Sequence, residues 1–353
     1  MKKMNKQTRS NLITYGMVIA AYIIVQLLIN TGNISSLLEG LMVPICTYVI
    51  LAVSLNLVVG ILGELSLGHA GFMCVGAFSS AFFSKCTRDI ITVAPLRFFL
   101  ALLIGIAVAA LFGILIGIPV LRLKGDYLAI VTLAFGEIIK NLVNVIYIGK
   151  DSNGFHFSMQ EAMDLNMEAD GTVIMNGPLG ITGTPQDSTF FVGFLLILVT
   201  LFIVTNLINS RDGRAIMAIR DNRIAAESIG INVTKYKLMA FTISAALAGA
   251  AGVLYSHNLS SLTANTNNFG YNMSISILVF VVLGGIGSIR GSVIAAVILT
   301  VLPEVLRGVS DYRMLIYAIV LIAMMLFNWA PKAIEWREKY LSFGKKRKKE
   351  AVE

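Results

Sequence analysis

Few residues in this 353-residue chain could carry covalent or metal chemistry. It has three cysteines, Cys46, Cys74 and Cys86, with no C-x-x-C spacing, and only three histidines. That pattern predicts neither a metal site nor a disulfide framework. The sequence also lacks a G-x-x-x-x-G-K-[ST] phosphate loop, an H-E-x-x-H motif and a G-x-S-x-G motif. We therefore expect no catalytic residues, no metal and no nucleotide bound by this chain.

One pair of charged residues stands inside a long apolar run. Glu137 lies near the middle of the run 127–148, and Lys140 follows one turn later. An unpaired charge at that depth costs about 2.5 to 3.5 kcal/mol on insertion scales, so both side chains must face protein or water. Glu137 is either an anchor or gate residue or the partner of Lys140 in a helix-packing ion pair at i and i+3.

Two glycine-rich stretches, 56–76 and 281–296, carry polar residues within apolar sequence. Broken backbone at membrane depth is tolerated only where it is buried in protein or lines a cavity. These stretches either line a pathway, where helix ends suit a zwitterionic solute, or form turns packed by small residues. Their short similarity, GILGELSLG against GGIGSIRGS, suggests an internal repeat. The pathway candidates are Asn56, Gly63, Ser66, Gly68, His69, Gly284, Gly285, Gly287 and Ser288.

A charged segment, 209–236, separates two further apolar runs. Asp212 can cap a helix start and Gly230 can supply the left-handed residue that ends it, which predicts one helix of about four turns. At about 100° per residue, small apolar side chains share one side of this helix and charged ones the other. The helix either docks another protein or lies on the membrane surface. The apolar side holds Ala215, Ala218, Ile219, Ala226 and Ile229, and the charged side holds Arg220, Arg223 and Glu227.

Composition predicts the elements that position these residues. The chain is 56% hydrophobic and 14% charged, against about 25% charged in soluble domains, which is typical of an all-α polytopic membrane protein. The third apolar run is short and could be partly re-entrant. About ten membrane helices are predicted, at 12–30, 41–61, 69–84, 97–120, 127–148, 190–208, 237–256, 272–289, 291–309 and 312–329.

The distribution of charge predicts orientation. Basic residues at both ends place both termini in the cytoplasm, which requires an even number of spans. Ten spans then put the acidic loop 149–189 outside, and the segment 209–236 and the basic tail 330–353 inside. Three cations, Lys85, Arg88 and Arg97, fall outside against this rule. Because the basic residues lie in loops and at the ends, no nucleic-acid partner is expected.

Three segments resemble the LivM-type permeases of branched-chain amino acid ABC importers. They are GRAIMAIRDNRIAAESIGINVTKYKL followed by SAALAGAAGVLY, LNLVVGILGELSLGHAGF at 55–72, and VVLGGIGSIRGSVIAA at 281–296. In the wider superfamily the first segment carries Glu-Ala-Ala, three residues and Gly. Here Ala225, Ala226 and Gly230 keep that spacing, while Ile224 stands where the Glu would be.

The resemblance implies a single transmembrane permease domain, 1–353, in a bacterial cytoplasmic membrane. It implies a homologous second permease, two cytoplasmic ATPase subunits that bind ATP and Mg²⁺, and an extracytoplasmic substrate-binding protein that faces loop 149–189, where His156 and acidic residues could be contacts. The segment 209–236 would be the coupling loop. The coupling residues are then Arg214, Ile219, Arg220, Arg223, Ala225, Ala226, Glu227 and Gly230.

Three classes of function remain open at this stage. The resemblance favours an importer permease for leucine, isoleucine, valine or related hydrophobic amino acids, or for another small substrate such as urea or amides. An ion-coupled secondary transporter would need ion sites within its spans, for which Glu137 is the one obvious mid-span carboxylate. A membrane-embedded enzyme would need a cluster of reactive polar residues, and the sequence displays none.

Overall fold

The structure is a computed structural model that describes residues 6–306, except 33–34, 124 and 169–170, together with 315–316, 318–319, 322 and 326. The predicted tenth span, 312–329, and the tail 330–353 lie largely or wholly outside the described residues. The helices are α1 (Lys6–Asn30), α2 (Ser36–Gly40), α3 (Met42–Asn56), α4 (His69–Cys86), α5 (Ala94–Val120), α6 (Asp126–Val145), α7 (Phe190–Asn209), α8 (Arg211–Asp221), α9 (Arg223–Ser228), α10 (Val233–Ser256), α11 (Thr266–Phe269), α12 (Tyr271–Gly284) and α13 (Ile289–Val305).

Nine of the predicted spans correspond to helices, with changed boundaries. Seven described helical segments are long and apolar enough to cross a membrane. The third predicted span contains no break, because α4 is a continuous helix of 18 residues, about 27 Å long at 1.5 Å per residue. The eighth span ends at Gly284 instead of 289, because Gly285 and Gly287 adopt φ values of +92° and +81° that stop the helix.

The core forms where α4 and α10 cross with almost no side chain between them. A Cβ on Gly76 would lie 2.4 Å from the carbonyl oxygen of Gly249, and one on Gly252 would lie 2.1 Å from that of Met73. Small residues let membrane helices approach this closely. Around this pair pack α3 and α5. In contrast, α1 and α5 turn most of their apolar side chains outward, as helices in contact with lipid do.

Contacts between distant segments define two ends of the bundle. At one, here called the coupling end, α8 contacts Gly60 and Gly63, α10 contacts Glu64, and Asn56 contacts the turn 285–288. At the other, here called the loop end, the segment 146–189 covers the connections 87–93 and 257–265. Successive long helices run alternately between these ends. The glycine-rich stretches therefore lie at the same end as the charged segment 209–236.

The acidic loop 149–189 contains strands. A three-stranded antiparallel sheet has the order β2-β1-β3, and a two-stranded sheet joins β4 to β5. The strands are β1 (Tyr147–Asp151), β2 (Gly154–Ser158), β3 (Thr172–Asn176), β4 (Ile181–Thr182) and β5 (Ser261–Leu262).

The loop is attached to the bundle through two of the cations that the charge rule left unexplained. Arg97 of α5 donates to Asp187 at 2.7 Å, and both side chains are nearly buried. Lys85 at the end of α4 donates to the backbone oxygens of Val173 and Ile174 at 2.9 and 3.2 Å. These contacts give both cations a structural role at the loop end.

Candidate coupling and pathway site

The charged segment forms two helices, so the prediction of a single helix from Asp212 to Gly230 was wrong. Ser210 caps α8 by accepting a hydrogen bond from the N–H of Gly213 at 3.0 Å, and Asp212 lies in the first turn. Asn222 leaves the helical conformation with φ −156° and caps α9 by accepting from the N–H of Ala225 at 3.0 Å. An Asn side chain competes with a continuing helix in this way. Gly230 has φ +83°, the left-handed conformation predicted for it.

The alanine side of this segment faces its own chain. Ile219 and Ala226 are buried, at 4% and 2% exposure, and pack with Val233 against Tyr236. The interpretation of these small residues as an open docking stripe is therefore corrected for Ala226. The large apolar side chains that do face outward are Ile224 and Ile229, 79% and 75% exposed. Sequence reasoning missed Ile224 as a surface residue, and its one signal was the departure from Glu at that position.

The charged side remains exposed, and Arg223 pairs with Glu227 at 3.0 Å, i to i+4. Arg214 is exposed and donates to the backbone oxygen of Asn209 at 3.3 Å. Ala225 is also exposed. The exposed apolar side chain of Ile224 is thus surrounded by charged residues, a composition found at protein interfaces.

Arg220 connects this segment to the first glycine-rich stretch. Its Nη1 donates to the carbonyl oxygen of Gly60 at 2.9 Å. Its aliphatic stem lies on Gly63, where a Cβ would come within 2.5 Å of the Arg220 Cγ and where φ is +80°. Gly60 belongs to a single turn of π-helix, Leu57–Leu62, that ends α3. A second contact, between Lys237 and Glu64, joins the first turns of α10 to the residues that directly follow this π-helical turn.

Asn56 connects the two glycine-rich stretches. Its side-chain amide donates to Ser292 Oγ at 2.8 Å, and its Oδ1 accepts from the N–H of Gly287 at 2.8 Å. Gly60 is in such close contact that a Cβ there would lie 2.3 Å from the Gly287 nitrogen. Ser288 caps α13 through the N–H of Gly291. Both stretches are therefore helix-turn-helix connections that meet face to face at the coupling end.

Gly284 and Gly285 contribute to this junction in different ways. A Cβ on Gly284 would lie 2.4 Å from the backbone of Gly291, so the two helices of the second stretch touch there. Gly285 instead supplies the left-handed turn, and its Cβ position is nearly open.

The remaining pathway candidates are packed inside the bundle at the start of α4. Ser66 is fully buried, and His69 is 1% exposed with its Nε2 2.8 Å from Ser244 Oγ. Gly68 lies against Thr132 of α6. In the conformation described, His69 has the environment of a structural histidine.

Glu137 and Lys140 form the predicted ion pair and also contact the short helix α11 and the start of α12. Lys140 Nζ lies 2.5 Å from Glu137 Oε2 and 3.3 Å from Thr266 Oγ1. The second carboxylate oxygen of Glu137 accepts from the N–H of Tyr271, the first residue of α12, at 2.7 Å. A carboxylate at a helix N-terminus satisfies free N–H groups and the helix dipole. The contacts match the helix-packing alternative for this pair.

At the loop end, the predicted docking contacts partly bind each other. The Nε2 of His156 lies 2.9 Å from Asp151 Oδ2. Burial acts to raise the pKa of Asp151, but hydrogen bonds from the backbone of Glu168 and Asn153 and from His156 hold that pKa below its usual value. Within the described residues, no group of three or more His, Cys, Asp or Glu side chains could hold a metal ion.

A bundle of membrane-length helices joined by glycine-rich turns, with a charged capped segment at one end, has the architecture of a membrane permease. Residues 37–327 match the family described as branched-chain amino acid transport system, permease component. The chain belongs to this family.

Individual relatives agree with the family. The chain is 36% identical over 296 residues to the high-affinity branched-chain amino acid transport system permease protein LivM of Salmonella typhimurium, covering 81% of this chain and 67% of the relative. It is 27% identical over 304 residues to the BraD permease protein of Pseudomonas aeruginosa, covering 84% and 94%. It is 28% identical over 291 residues to the ribose import permease protein RbsC of Escherichia coli, covering 79% and 81%. No solved structure matches the chain.

Proposed function

We propose that this chain is the membrane-spanning permease subunit of an ATP-driven importer for branched-chain or related hydrophobic amino acids. It pairs with a homologous permease, and separate ATPase subunits bind ATP and Mg²⁺. The contact of Arg220 with the carbonyl of Gly60 carries the mechanism, because it joins the exposed charged segment to the junction of the two glycine-rich turns.

Charge supports the orientation that this function requires. The charged segment at the coupling end carries five cations, whereas acidic residues outnumber the single lysine in loop 149–189 at the loop end. The five cations are Arg211, Arg214, Arg220, Arg223 and Lys235. Loops rich in Lys and Arg stay in the cytoplasm. The coupling end then faces the ATPase subunits, and the loop end faces an extracytoplasmic binding protein.

The exposed surface of α9 supplies a docking surface for an ATPase. Ile224 and Ile229 are large aliphatic side chains outside the bundle, beside the Arg223–Glu227 pair. Apolar side chains surrounded by charges favour contact with another protein over contact with water. Ala226, on the buried side of α9, packs against Val233 of α10 and so holds α9 in place.

Movement of α9 is passed to α8, which it contacts, and from α8 to the transmembrane helices by a short series of contacts. Arg220 holds Gly60, and Gly60 touches both Asn56 and Gly287. Displacing α8 therefore changes the packing of α3 against the turn between α12 and α13. Packed junctions of this kind have discrete arrangements and do not deform continuously, which suits alternating access.

The relatives support the choice of substrate. The LivM proteins of Salmonella typhimurium and Escherichia coli share 36% identity with the chain, whereas BraD shares 27%, the ribose permease 28% and a nucleoside permease of Lactococcus lactis 24%. The two LivM proteins, together with the family that residues 37–327 match, favour leucine, isoleucine and valine over sugars and nucleosides.

The test is co-purification from the native membrane with a tagged chain. We expect wild type to recover an ATPase and a second permease, and Ile224→Asp to lose the ATPase while keeping the second permease. Thr234→Asp is the matched control, since it adds the same charge to another exposed position at the coupling end. Full recovery of the ATPase by Ile224→Asp, or no ATPase with wild type, would sink the proposal.

A further inference from the structure

Three cations converge on one cavity at the loop end. The cavity, of about 530 Å³, is lined by Lys85 in the last turn of α4, Arg88 and Asp89 in the turn that follows, and Lys150 from β1. The three positive charges thus outnumber the one carboxylate by two. Among the residues that the structure describes, none of the three cations takes part in an ion pair. A cavity with such an excess attracts an anion.

Lys85 is held in place for such a role. Two backbone oxygens of β3 accept hydrogen bonds from its ammonium group, which fixes the group without neutralising its charge. An ammonium has three donors, so one remains for a ligand. Arg88 is exposed, and no described residue accepts a hydrogen bond from it. A guanidinium and an ammonium facing one cavity suit the oxygens of a phosphate group.

The depth of the cavity places it in the headgroup layer of a membrane. Lys85 lies in the last turn of α4, a helix about 27 Å long, and the hydrocarbon core of a bilayer is about 30 Å thick. A residue in that last turn therefore stands near the boundary between acyl chains and headgroups. The last turn of α4 stands near such a boundary whichever face of the membrane the loop end occupies, so the location of the cavity does not depend on the proposed direction of transport.

Exposed apolar residues lie close to the cations of the cavity. Ile90, two residues after Arg88, is 75% exposed, and Val93 is exposed beyond it. Lys150 Nζ lies 5.9 Å from the ring centroid of Phe155, which is itself exposed. A phospholipid has this combination of a charged headgroup and apolar chains, whereas a free anion or an acidic peptide would leave these apolar side chains in water.

We propose that this cavity binds the phosphate group of an anionic phospholipid, through Lys85, Arg88 and Lys150, with the lipid chains lying along Ile90 and Phe155. In the proposed orientation, the site also explains why these cations lie on the side of the membrane where the charge rule disfavours them. It is separate from the coupling end and from the junction of the glycine-rich turns.

Native mass spectrometry of the purified full chain, titrated with phosphatidylglycerol, tests this site. The double variant Arg88→Gln with Lys150→Gln should weaken phosphatidylglycerol binding on the order of 25-fold. Each basic residue near a lipid headgroup contributes about 1 kcal/mol, which is about a fivefold change in affinity. The matched control is Arg122→Gln with Lys235→Gln, which removes two exposed cations at the coupling end and should change binding less than about twofold.

A second variant guards against misfolding of the first. Thr182→Glu keeps all three cations and adds a carboxylate at an exposed position that lines the cavity, and it should weaken binding to a similar degree. Thermal unfolding without added lipid shows whether each variant remains folded. Phosphatidylglycerol binding by the folded variants at the wild-type level would overturn the proposal.

Two further ligands distinguish the source of the phosphate. Phosphatidylcholine, which has no net charge, should bind clearly more weakly than phosphatidylglycerol. Inorganic phosphate should not displace phosphatidylglycerol at equal concentration, because it lacks the acyl chains. Displacement by inorganic phosphate would assign the cavity to a free anion instead of a lipid. Equal binding of the two lipids would show that the three cations do not select an anionic headgroup, which would overturn the proposal.

Discussion

Replacing Arg220 by alanine should separate ATP hydrolysis from transport. The substitution removes the hydrogen bond from the guanidinium to Gly60 and the stem that lies on Gly63. The exposed face of α9 keeps Ile224, so an ATPase can still dock. The variant should therefore assemble with its partners but transmit their motion poorly.

The size of the effect follows from one charged hydrogen bond. Such a bond contributes about 1.5 to 3 kcal/mol when buried, and the Arg220 side chain is 38% exposed, which reduces this to about 1 to 2 kcal/mol. Its ion pair with the exposed Asp221 adds little. At 1.4 kcal/mol per factor of ten, coupling should fall about 5- to 30-fold.

The assay is ATP hydrolysis and leucine uptake by the purified complex in proteoliposomes. Arg220→Ala should retain ATP hydrolysis while uptake per ATP falls about 5- to 30-fold. Arg211→Ala is the matched control, since Arg211 is an exposed arginine of the same helix that lies outside the contact between Arg220 and Gly60. Uptake by Arg220→Ala within twofold of wild type would refute the transmission route, and so would an equal loss in both variants.

Three further substitutions test the packing of the bundle. Asn56→Ala should lower the free energy of unfolding by about 2 to 4 kcal/mol in a denaturant titration, because it deletes one buried and one partly buried hydrogen bond and leaves the N–H of Gly287 without its acceptor. Gly252→Ala places a methyl group against the backbone of α4, so size-exclusion chromatography should show less monodisperse protein. Arg97→Gln leaves the nearly buried charge of Asp187 unpaired and should lower thermal stability by about 3 to 5 kcal/mol.

Each substitution has a control in the same chain. Asn272→Ala removes an exposed amide and should cost under about 0.5 kcal/mol. Gly16→Ala has no atom within 4 Å of the added methyl group and should behave as wild type. Adding Asp187→Asn to Arg97→Gln should recover part of the lost stability. If that double variant were less stable than the single one, the ion-pair explanation would be wrong.

The membrane helices were predictable because their signal is local. Nine predicted spans correspond to helices, and the continuous apolar sequence of α3, α5 and α7 set their bounds to within a few residues. The end of α12 was predicted too late because apolarity continues past Gly284, whereas the backbone turns there. The sequence contained the glycines but not the close approach to α13 that makes the turn favourable.

The candidate site was harder to predict because its contacts join distant segments. Asn56 and Gly287 are separated by 231 positions, and Arg220 and Gly60 by 160. The periodic pattern of 209–230 suggested one helix, but Asn222 broke it and rotated Ile229 to the surface. The Asn222 side chain was a usable local signal, because Asn favours helix caps over helix interiors. The small sheet in 149–189 also depends on pairing that no local pattern specifies.

The most direct test of the central claim is leucine uptake by the co-purified complex in proteoliposomes, with and without ATP and with Ile224→Asp beside wild type. We predict uptake that requires ATP and that Ile224→Asp abolishes. Uptake by this chain alone, driven by an ion gradient without any ATPase, would contradict the account.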